Sequence, residues 1–201
     1  MPKLRRVTAW FIDFALVLAL AAALAVLTFH RISALVADVP GLATRGGLDL
    51  LTSRGDVISA SEGFGVSLWD KAVGYVEEAF GLLIVVTFLY QWACLSLAGR
   101  TLGKGLLGLK VAPSAPRRAA VRAAVTTAAD IAVYAVACVL LMEGEFLLSV
   151  AVWALAVVFF FLNALPVFSP TRRSLADRVA GTAVTGLGIR TPTATPAART
   201  F

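Results

Sequence analysis

Residues 9–29 read AWFIDFALVLALAAALAVLTF, and they decide the fold class because Asp13 is their only charged residue. An α-helix rises about 1.5 Å per residue, so a segment of this length crosses the roughly 30 Å hydrocarbon core of a bilayer. A lone strand in lipid would leave its backbone groups without hydrogen-bond partners, whereas a helix satisfies them internally. We therefore predict that this segment is a transmembrane helix.

Three further apolar segments have a similar length, at about residues 79–98, 123–142 and 146–165. The chain of 201 residues is 59% hydrophobic and only 15% charged, which is too little polar surface for a water-soluble domain. A cleaved signal peptide is a poor alternative for the first segment, because a signal core is only about 7–15 residues long. The sequence predicts an all-α membrane protein, a bundle of four transmembrane helices.

The distribution of charge predicts the orientation of this bundle. Fourteen of the 18 basic residues lie before the first span, between the second and third spans, or after the fourth. The opposite side holds residues 30–78, with seven acidic residues, and the acidic hairpin Glu143-Gly144-Glu145. By the positive-inside rule, we predict cytoplasmic N and C termini and location in the plasma (inner) membrane of a bacterium. Because topology explains the basic charge, we expect the bilayer and no nucleic acid as a partner.

Two segments fall outside the predicted bundle. The outer segment, 30–78, is the largest non-membrane part of a membrane domain that we place at residues 1–189. Its second half, from Val66 to Glu78, has apolar residues at helical spacing and predicts a short surface helix leading into the second span. Residues 190–201 are rich in Thr, Ala and Pro, a composition typical of disorder.

Polar residues within the spans are the first candidates for a functional site. Asp13, Gln91, Asp130 and Asn163 belong to four different spans, and we place all four in the inner half of the bilayer. Charge at this depth is costly and is often functional, which indicates a cation or proton site with Asp13 as its main acid. Arg6 shares a helix face with Asp13 and is expected to meet lipid headgroups or another helix. The alternative is that these polar groups only join the helices by hydrogen bonds.

Other kinds of site have little support in the sequence. Cys94, Cys138 and the single histidine, His30, are too few for a metal site or a Cys/His nucleophile, and we expect no metal. The string GKGLLG at 103–108 matches a dinucleotide-binding pattern, but it follows a membrane span and not a strand. We therefore expect no enzymatic activity and no cofactor.

Three segments together resemble the RDD family of multi-pass membrane proteins, named for an arginine and two aspartates. They are RRVTAWFID at 5–13, GRTLGKGLLGLKV at 99–111 and SLADRVAGTAV at 174–184. The resemblance implies that Arg6 and Asp13 are the family's arginine and first aspartate. It implies that Asp177 is the second aspartate, for which Asp130 is a competing candidate. Gly105 and Ala176 depart from the pattern, since relatives often have a basic residue and a histidine at these two positions.

The second and third motifs add a cytoplasmic set of candidates, which are Gly103, Lys104, Asp177, Arg178, Gly181 and Thr182. Residues 108–111 and 182–185 have strand-like content and would pair as a short antiparallel β-ribbon beneath the bundle. That ribbon would bring Asp177, Arg178 and Lys104 to the inner mouths of the helices. For Lys104 we favour a solvated loop side chain. We expect loss of the Asp177 charge to cost the membrane fold less than loss of the Asp13 charge.

The functional expectation follows from the resemblance and the intramembrane acids. The resemblance implies transport of a small ligand, with cation/proton antiport proposed for some family members. We expect transport of a small ligand, a monovalent cation or a proton by a homo-oligomer, because four helices enclose little space. The alternative is a non-transporting accessory or assembly subunit of a larger membrane complex.

Overall fold

The computed structural model describes residues 2–37, 57–112, 115–164 and 174–186. A π-helical turn at Cys94–Ala98 extends the helix that ends at Ala93, and a second one at Ala128–Ala132 joins the helix that ends at Thr127 to the one that begins at Val133. The elements within the described ranges are, in chain order, α1 (Pro2–Ala37), α2 (Val57–Ala93), α3 (Leu102–Leu106), β1 (Leu109–Ala112), α4 (Pro116–Thr127), α5 (Val133–Met142), α6 (Phe146–Ala164), α7 (Leu175–Ala180) and β2 (Ala183–Gly186).

The described residues contain four helical segments that are long and apolar enough to cross a bilayer, which confirms the predicted four-helix membrane fold. These segments are Leu4–Ala37, Gly65–Leu106, Pro116–Met142 and Phe146–Ala164. The helices continue beyond the predicted spans 9–29, 79–98 and 123–142, because hydropathy marks where a helix leaves lipid and not where its hydrogen bonding stops. The surface helix predicted at Val66–Glu78 is continuous with α2. The predicted tail, 190–201, and residues 38–56 of the predicted outer segment lie outside the described residues.

A tight hairpin joins α5 to α6. Gly144 has a φ of 86°, a left-handed conformation that glycine adopts without steric cost. The backbone N–H of Glu145 donates to the carbonyl of Leu140 at 2.9 Å, which closes the last turn of α5. The hydroxyl of Ser149 donates to the carbonyl of Ala137 at 2.7 Å, so the two helices are also joined within the bundle.

The two strands form an antiparallel ribbon in which Leu109 pairs with Gly186 and Ala112 pairs with Ala183. This confirms the predicted ribbon, with each strand shifted by one residue. The backbone N–H of Val111 donates to the carbonyl of Gly99 at 2.8 Å, which ties the ribbon to the end of the second span. Val111 also packs with Leu95 and Ala119 in a small buried cluster, so the ribbon rests on the ends of α2 and α4.

The outer faces of the bundle are apolar and its interior is built from small residues. Large side chains such as Leu18, Val85 and Phe161 remain about half exposed, as expected for surfaces whose solvent is lipid. Fully buried positions in α4, α5 and α6 are mainly alanines, which allow close approach of the helices. They include Ala123, Ala135, Ala137 and Ala156.

Candidate functional site

A cavity lies between α1, α2, α4 and α6, and residues of α3, α7 and the ribbon also line it. The cavity has a volume of about 110 Å³. All five predicted polar residues of the spans face it, together with Lys104 and Asp177. The polar lining consists of Arg6, Asp13, Tyr90, Gln91, Thr101, Lys104, Arg122, Thr126, Asp130, Asn163, Ser174 and Asp177.

Asp13 joins α1 to the first turn of α3. Its carboxylate accepts a hydrogen bond from the Thr101 hydroxyl at 2.5 Å and another from the backbone N–H of Gly103 at 2.9 Å. The preceding N–H of that turn, on Leu102, donates to the hydroxyl of Tyr90 in α2 at 3.1 Å. The first N–H groups of a helix have no partner inside the helix, so α1 and α2 each supply an acceptor to the start of α3.

Gly103 is required by the closeness of α1 and α3. A Cβ at this position would overlap the carbonyl oxygen of Ala9 and would lie 3.0 Å from the Asp13 Cγ. Because those atoms belong to a packed helix backbone and to a short side chain, neither moves away at low cost. The contact between the first and second motifs therefore depends on glycine at this position.

Lys104 points into the cavity from α3. Its ammonium lies 3.7 Å from the Asp13 Oδ2 and donates to the Thr101 hydroxyl at 3.3 Å. Only 20% of the side chain is exposed, a value close to the 19% of Asp13. The expectation of a solvated loop lysine was therefore wrong. It failed because α3 folds back against α1, a contact between segments about 90 residues apart in the sequence.

A second ion pair connects α4 to α7. The Arg122 guanidinium donates to the Asp177 carboxylate and, at 2.8 Å, to the hydroxyl of Thr182. Arg122 is 6% exposed, Asp177 3% and Thr182 2%. Ser174 caps α7, since its hydroxyl accepts from the backbone N–H of Asp177 at 3.2 Å and the Asp177 carboxylate accepts from the backbone N–H of Ser174 at 3.2 Å. Asp177 is thus buried, and both of its carboxylate oxygens accept hydrogen bonds.

These contacts decide the ionisation of Asp177. Burial alone would raise the pKa of its carboxyl, but the adjacent Arg122 charge and the hydrogen bonds from Arg122 and Ser174 outweigh that effect and hold the pKa below its usual value. Gly181, with a φ of 62°, ends α7 and turns the chain so that Thr182 reaches the ion pair. Arg178 is exposed and is not among the residues lining the cavity.

Asp130 and Asn163 form the third polar contact of the cavity. The Asn163 amide donates to the Asp130 Oδ1 at 3.1 Å. Asn163 is 8% exposed, and within the described residues no donor reaches its Oδ1. Asp130 lies in the π-helical turn between α4 and α5, an irregularity that is frequent at functional sites. Gln91 lines the same cavity from α2.

Arg6 closes the cavity on the side of the ribbon. Its guanidinium donates to the backbone carbonyl of Val184 in β2. We predicted contact with headgroups or another helix; the structure shows in addition this contact with β2, which returns to α1 only in the folded chain. Sequence reasoning also missed Thr101, Ser174 and Arg122 as site residues. Arg122 is one of the basic residues between the second and third spans, whose charge we attributed to membrane topology.

The sequence model of the RDD family matches residues 2–181. The chain belongs to the RDD family. Members of this family are multi-pass membrane proteins, in agreement with the four apolar helices. The match includes every polar residue of the cavity lining, and the residues to which the motifs assign the family's arginine and aspartates all face the cavity of this RDD protein. No curated protein and no solved structure gives a significant match.

Proposed function

We propose that this RDD protein transports a monovalent cation or a proton across the plasma membrane of a bacterium, and that the cavity is its binding site. The observation that carries the proposal is the position of Asp130, a carboxylate of a membrane-spanning segment that faces the cavity. Within the described residues, the hydrogen bond that reaches this carboxylate comes from a neutral amide, that of Asn163. A carboxylate at membrane depth needs a proton, a cation or water to be stable, and proton relays and ion pathways use such groups.

The other two acids of the cavity already have an ion-pair partner or hydrogen-bond donors. Asp177 is neutralised by Arg122, and Asp13 accepts hydrogen bonds from Thr101 and Gly103. These contacts support a structural role for both residues. They favour Asp130 over Asp13 as the acid that binds the transported ion, which revises our expectation from the sequence.

The groups around Asp130 suit a cation better than an anion. The Oδ1 atom of Asn163 is buried and accepts no hydrogen bond from the described residues. Gln91 and Thr126, whose side chains also carry oxygen atoms, line the same cavity. Carboxylate, amide and hydroxyl oxygens are the ligands that hard cations prefer. A proton on Asp130 and a cation beside it would neutralise the same charge, which is the basis for exchanging one for the other.

Assembly into a homo-oligomer, or with a larger membrane complex, is part of the proposal. In the most apolar 18-residue window of α1, 0% of the residues are buried within the chain. Lipid or another protein chain therefore covers most of this helix. A homo-oligomer would surround the cavity with more protein than four helices can provide.

Purified protein in sealed vesicles tests transport directly. An outward gradient of Na⁺, K⁺ or Li⁺ is imposed, and cation release and internal pH are followed with and without a protonophore. We expect release above that of protein-free vesicles, with an accompanying pH change if a proton is exchanged. A correctly inserted protein that produces no flux of any of these ions would contradict the proposal and favour the accessory-subunit alternative.

A further inference from the structure

We infer that the Lys104 ammonium is a built-in counter-cation of the cavity, which a transported cation has to displace from the acidic groups. This inference rests on the proposed function, since it specifies how the same site is occupied between transport events. It is carried by the placement of Lys104 and by the charges that face it.

The contact between α3 and α1 sets the position of the Lys104 backbone. Gly103 packs directly against the Ala9 carbonyl, so the first turn of α3 lies against α1. From this anchor the lysine side chain enters the cavity and lies 3.7 Å from the Asp13 Oδ2. The flexible four-carbon stem of a lysine carries a compact charge that can move between nearby acceptors while its backbone stays fixed.

The charged groups around Lys104 come from four neighbouring elements. Asp13 faces it from α1, Arg122 from α4, Asp130 from the π-helical turn after α4, and Asp177 from α7. All four interact with it electrostatically. Arg122 and Asp177 form an ion pair with each other, so the Asp177 carboxylate is already neutralised. The acids left to attract the ammonium are Asp13, which it already contacts, and Asp130.

This arrangement makes the lysine and a free cation competitors. While Lys104 faces Asp13 and Asp130, it supplies positive charge to the cavity without any bound ion. A monovalent cation at Asp130 brings a second positive charge into the same space and repels the ammonium. Removal of the lysine charge should therefore tighten cation binding, and retention of the charge in an arginine should not.

Thermal unfolding in detergent at increasing cation concentration tests the competition between Lys104 and the cation. A ligand that binds the folded state raises the midpoint temperature of unfolding. Wild type, Lys104→Gln and Lys104→Arg are titrated with Na⁺, K⁺ and Li⁺ chloride at ionic strength held constant with N-methyl-D-glucamine chloride. Lys71→Gln is the matched control, since Lys71 is exposed on α2 and does not line the cavity. We expect Lys104→Gln to reach half of its stabilisation at about a tenfold lower cation concentration than wild type, the lower end of the effect of a neighbouring charge on a carboxylate.

A measurement on wild type covers the case in which Lys104→Gln does not fold. Trace acetylation followed by mass spectrometry should show that Lys104 becomes more reactive, relative to Lys71, as the cation concentration rises and the ammonium is displaced. Equal cation dependence of wild type and Lys104→Gln, or Lys104 reactivity that does not change with cation, would overturn the inference. Cation binding that depends on Lys104 without flux in vesicles would contradict the transport proposal alone.

Discussion

The carboxylate of Asp13 in α1 accepts the backbone N–H of Gly103 in α3, at 2.9 Å. This hydrogen bond joins two motifs that lie 90 residues apart in the sequence. The contact explains the residue type at three positions. Asp13 accepts hydrogen bonds from an N–H and an O–H group, and Thr101 supplies the O–H group. Gly103 has no side chain, which allows α1 and α3 to touch.

Replacement of Gly103 by alanine should destabilise the protein. The added Cβ overlaps the Ala9 carbonyl, and overpacking of this kind costs about 1–3 kcal/mol. Gly105→Ala is the matched control, because its nearest neighbour would be the flexible Arg100 side chain at 3.6 Å. Thermal unfolding in detergent should show a lower midpoint for Gly103→Ala and an unchanged or slightly higher one for Gly105→Ala. Equal midpoints for the two variants would show that α1 and α3 are not in contact.

Asp13→Asn should lower stability even though asparagine has the same shape. Hydrogen bonds to a charged group contribute about 1.5–3 kcal/mol each, and the substitution removes the charge that Thr101, Gly103 and Lys104 share. Asp70→Asn, at an exposed position of α2, is the control. If Asp13→Asn unfolds at the wild-type temperature, the structural role assigned to Asp13 is incorrect.

The Arg122–Asp177 pair should behave as one unit. Removal of one partner leaves a buried charge uncompensated, which costs about 3–5 kcal/mol. We expect Arg122→Met and Asp177→Asn each to be strongly destabilising. The double variant should lose much less than the two single effects added together. Additive effects measured by unfolding in detergent would mean that the two side chains do not interact.

The same pair predicts a dependence of stability on pH. The pKa of Asp177 is lowered in the folded protein, so the unfolded chain binds its proton more readily. The stabilisation is therefore present above the ordinary pKa of an aspartate and is lost as the pH falls through the lowered value. Unfolding midpoints measured at decreasing pH should fall less for Asp177→Asn than for wild type. Parallel pH curves would contradict this assignment.

Cysteine labelling tests the predicted orientation. In a background with Cys94 and Cys138, both free thiols, replaced by alanine, new cysteines are placed at Glu143 in the α5–α6 hairpin and at Arg117 in α4. We expect a membrane-impermeant maleimide to label the Glu143 position in intact cells and the Arg117 position only after permeabilisation. Labelling of both positions from the same face would exclude the four-span topology.

The sequence predicted the spans more completely than the contacts between them. The α5–α6 hairpin was predicted within one residue because Glu143 and Glu145 bound it on both sides, whereas α1 and α2 continue beyond their apolar cores. Convergence of Asp13, Gln91, Asp130 and Asn163 was predictable because the sequence places all four in the inner half of the bilayer. Their functional role stays a prediction.

The partners of the charged residues could not be predicted. Arg122 and Asp177 are 55 residues apart, and their pairing depends on α7 folding back against α4. In the sequence, positive-inside charge explained Arg122 equally well, so nothing distinguished a buried arginine from the exposed Arg117 and Arg118 beside it. The hydrogen-bond donors to Asp13 could not be predicted for the same reason, because they belong to the start of a helix that no local pattern brings to α1.

The most direct test of the account is ion flux through Asp130→Asn in vesicles, measured beside wild type and Glu143→Gln. Asparagine retains the shape and hydrogen-bonding capacity toward Asn163 but cannot bind a proton or supply a charge to a cation. Glu143→Gln removes an acid of the exposed hairpin and controls for net charge. We expect wild-type flux from Glu143→Gln and flux at the level of protein-free vesicles from a folded, correctly inserted Asp130→Asn. Wild-type flux from Asp130→Asn would contradict the central claim that this carboxylate binds the transported ion.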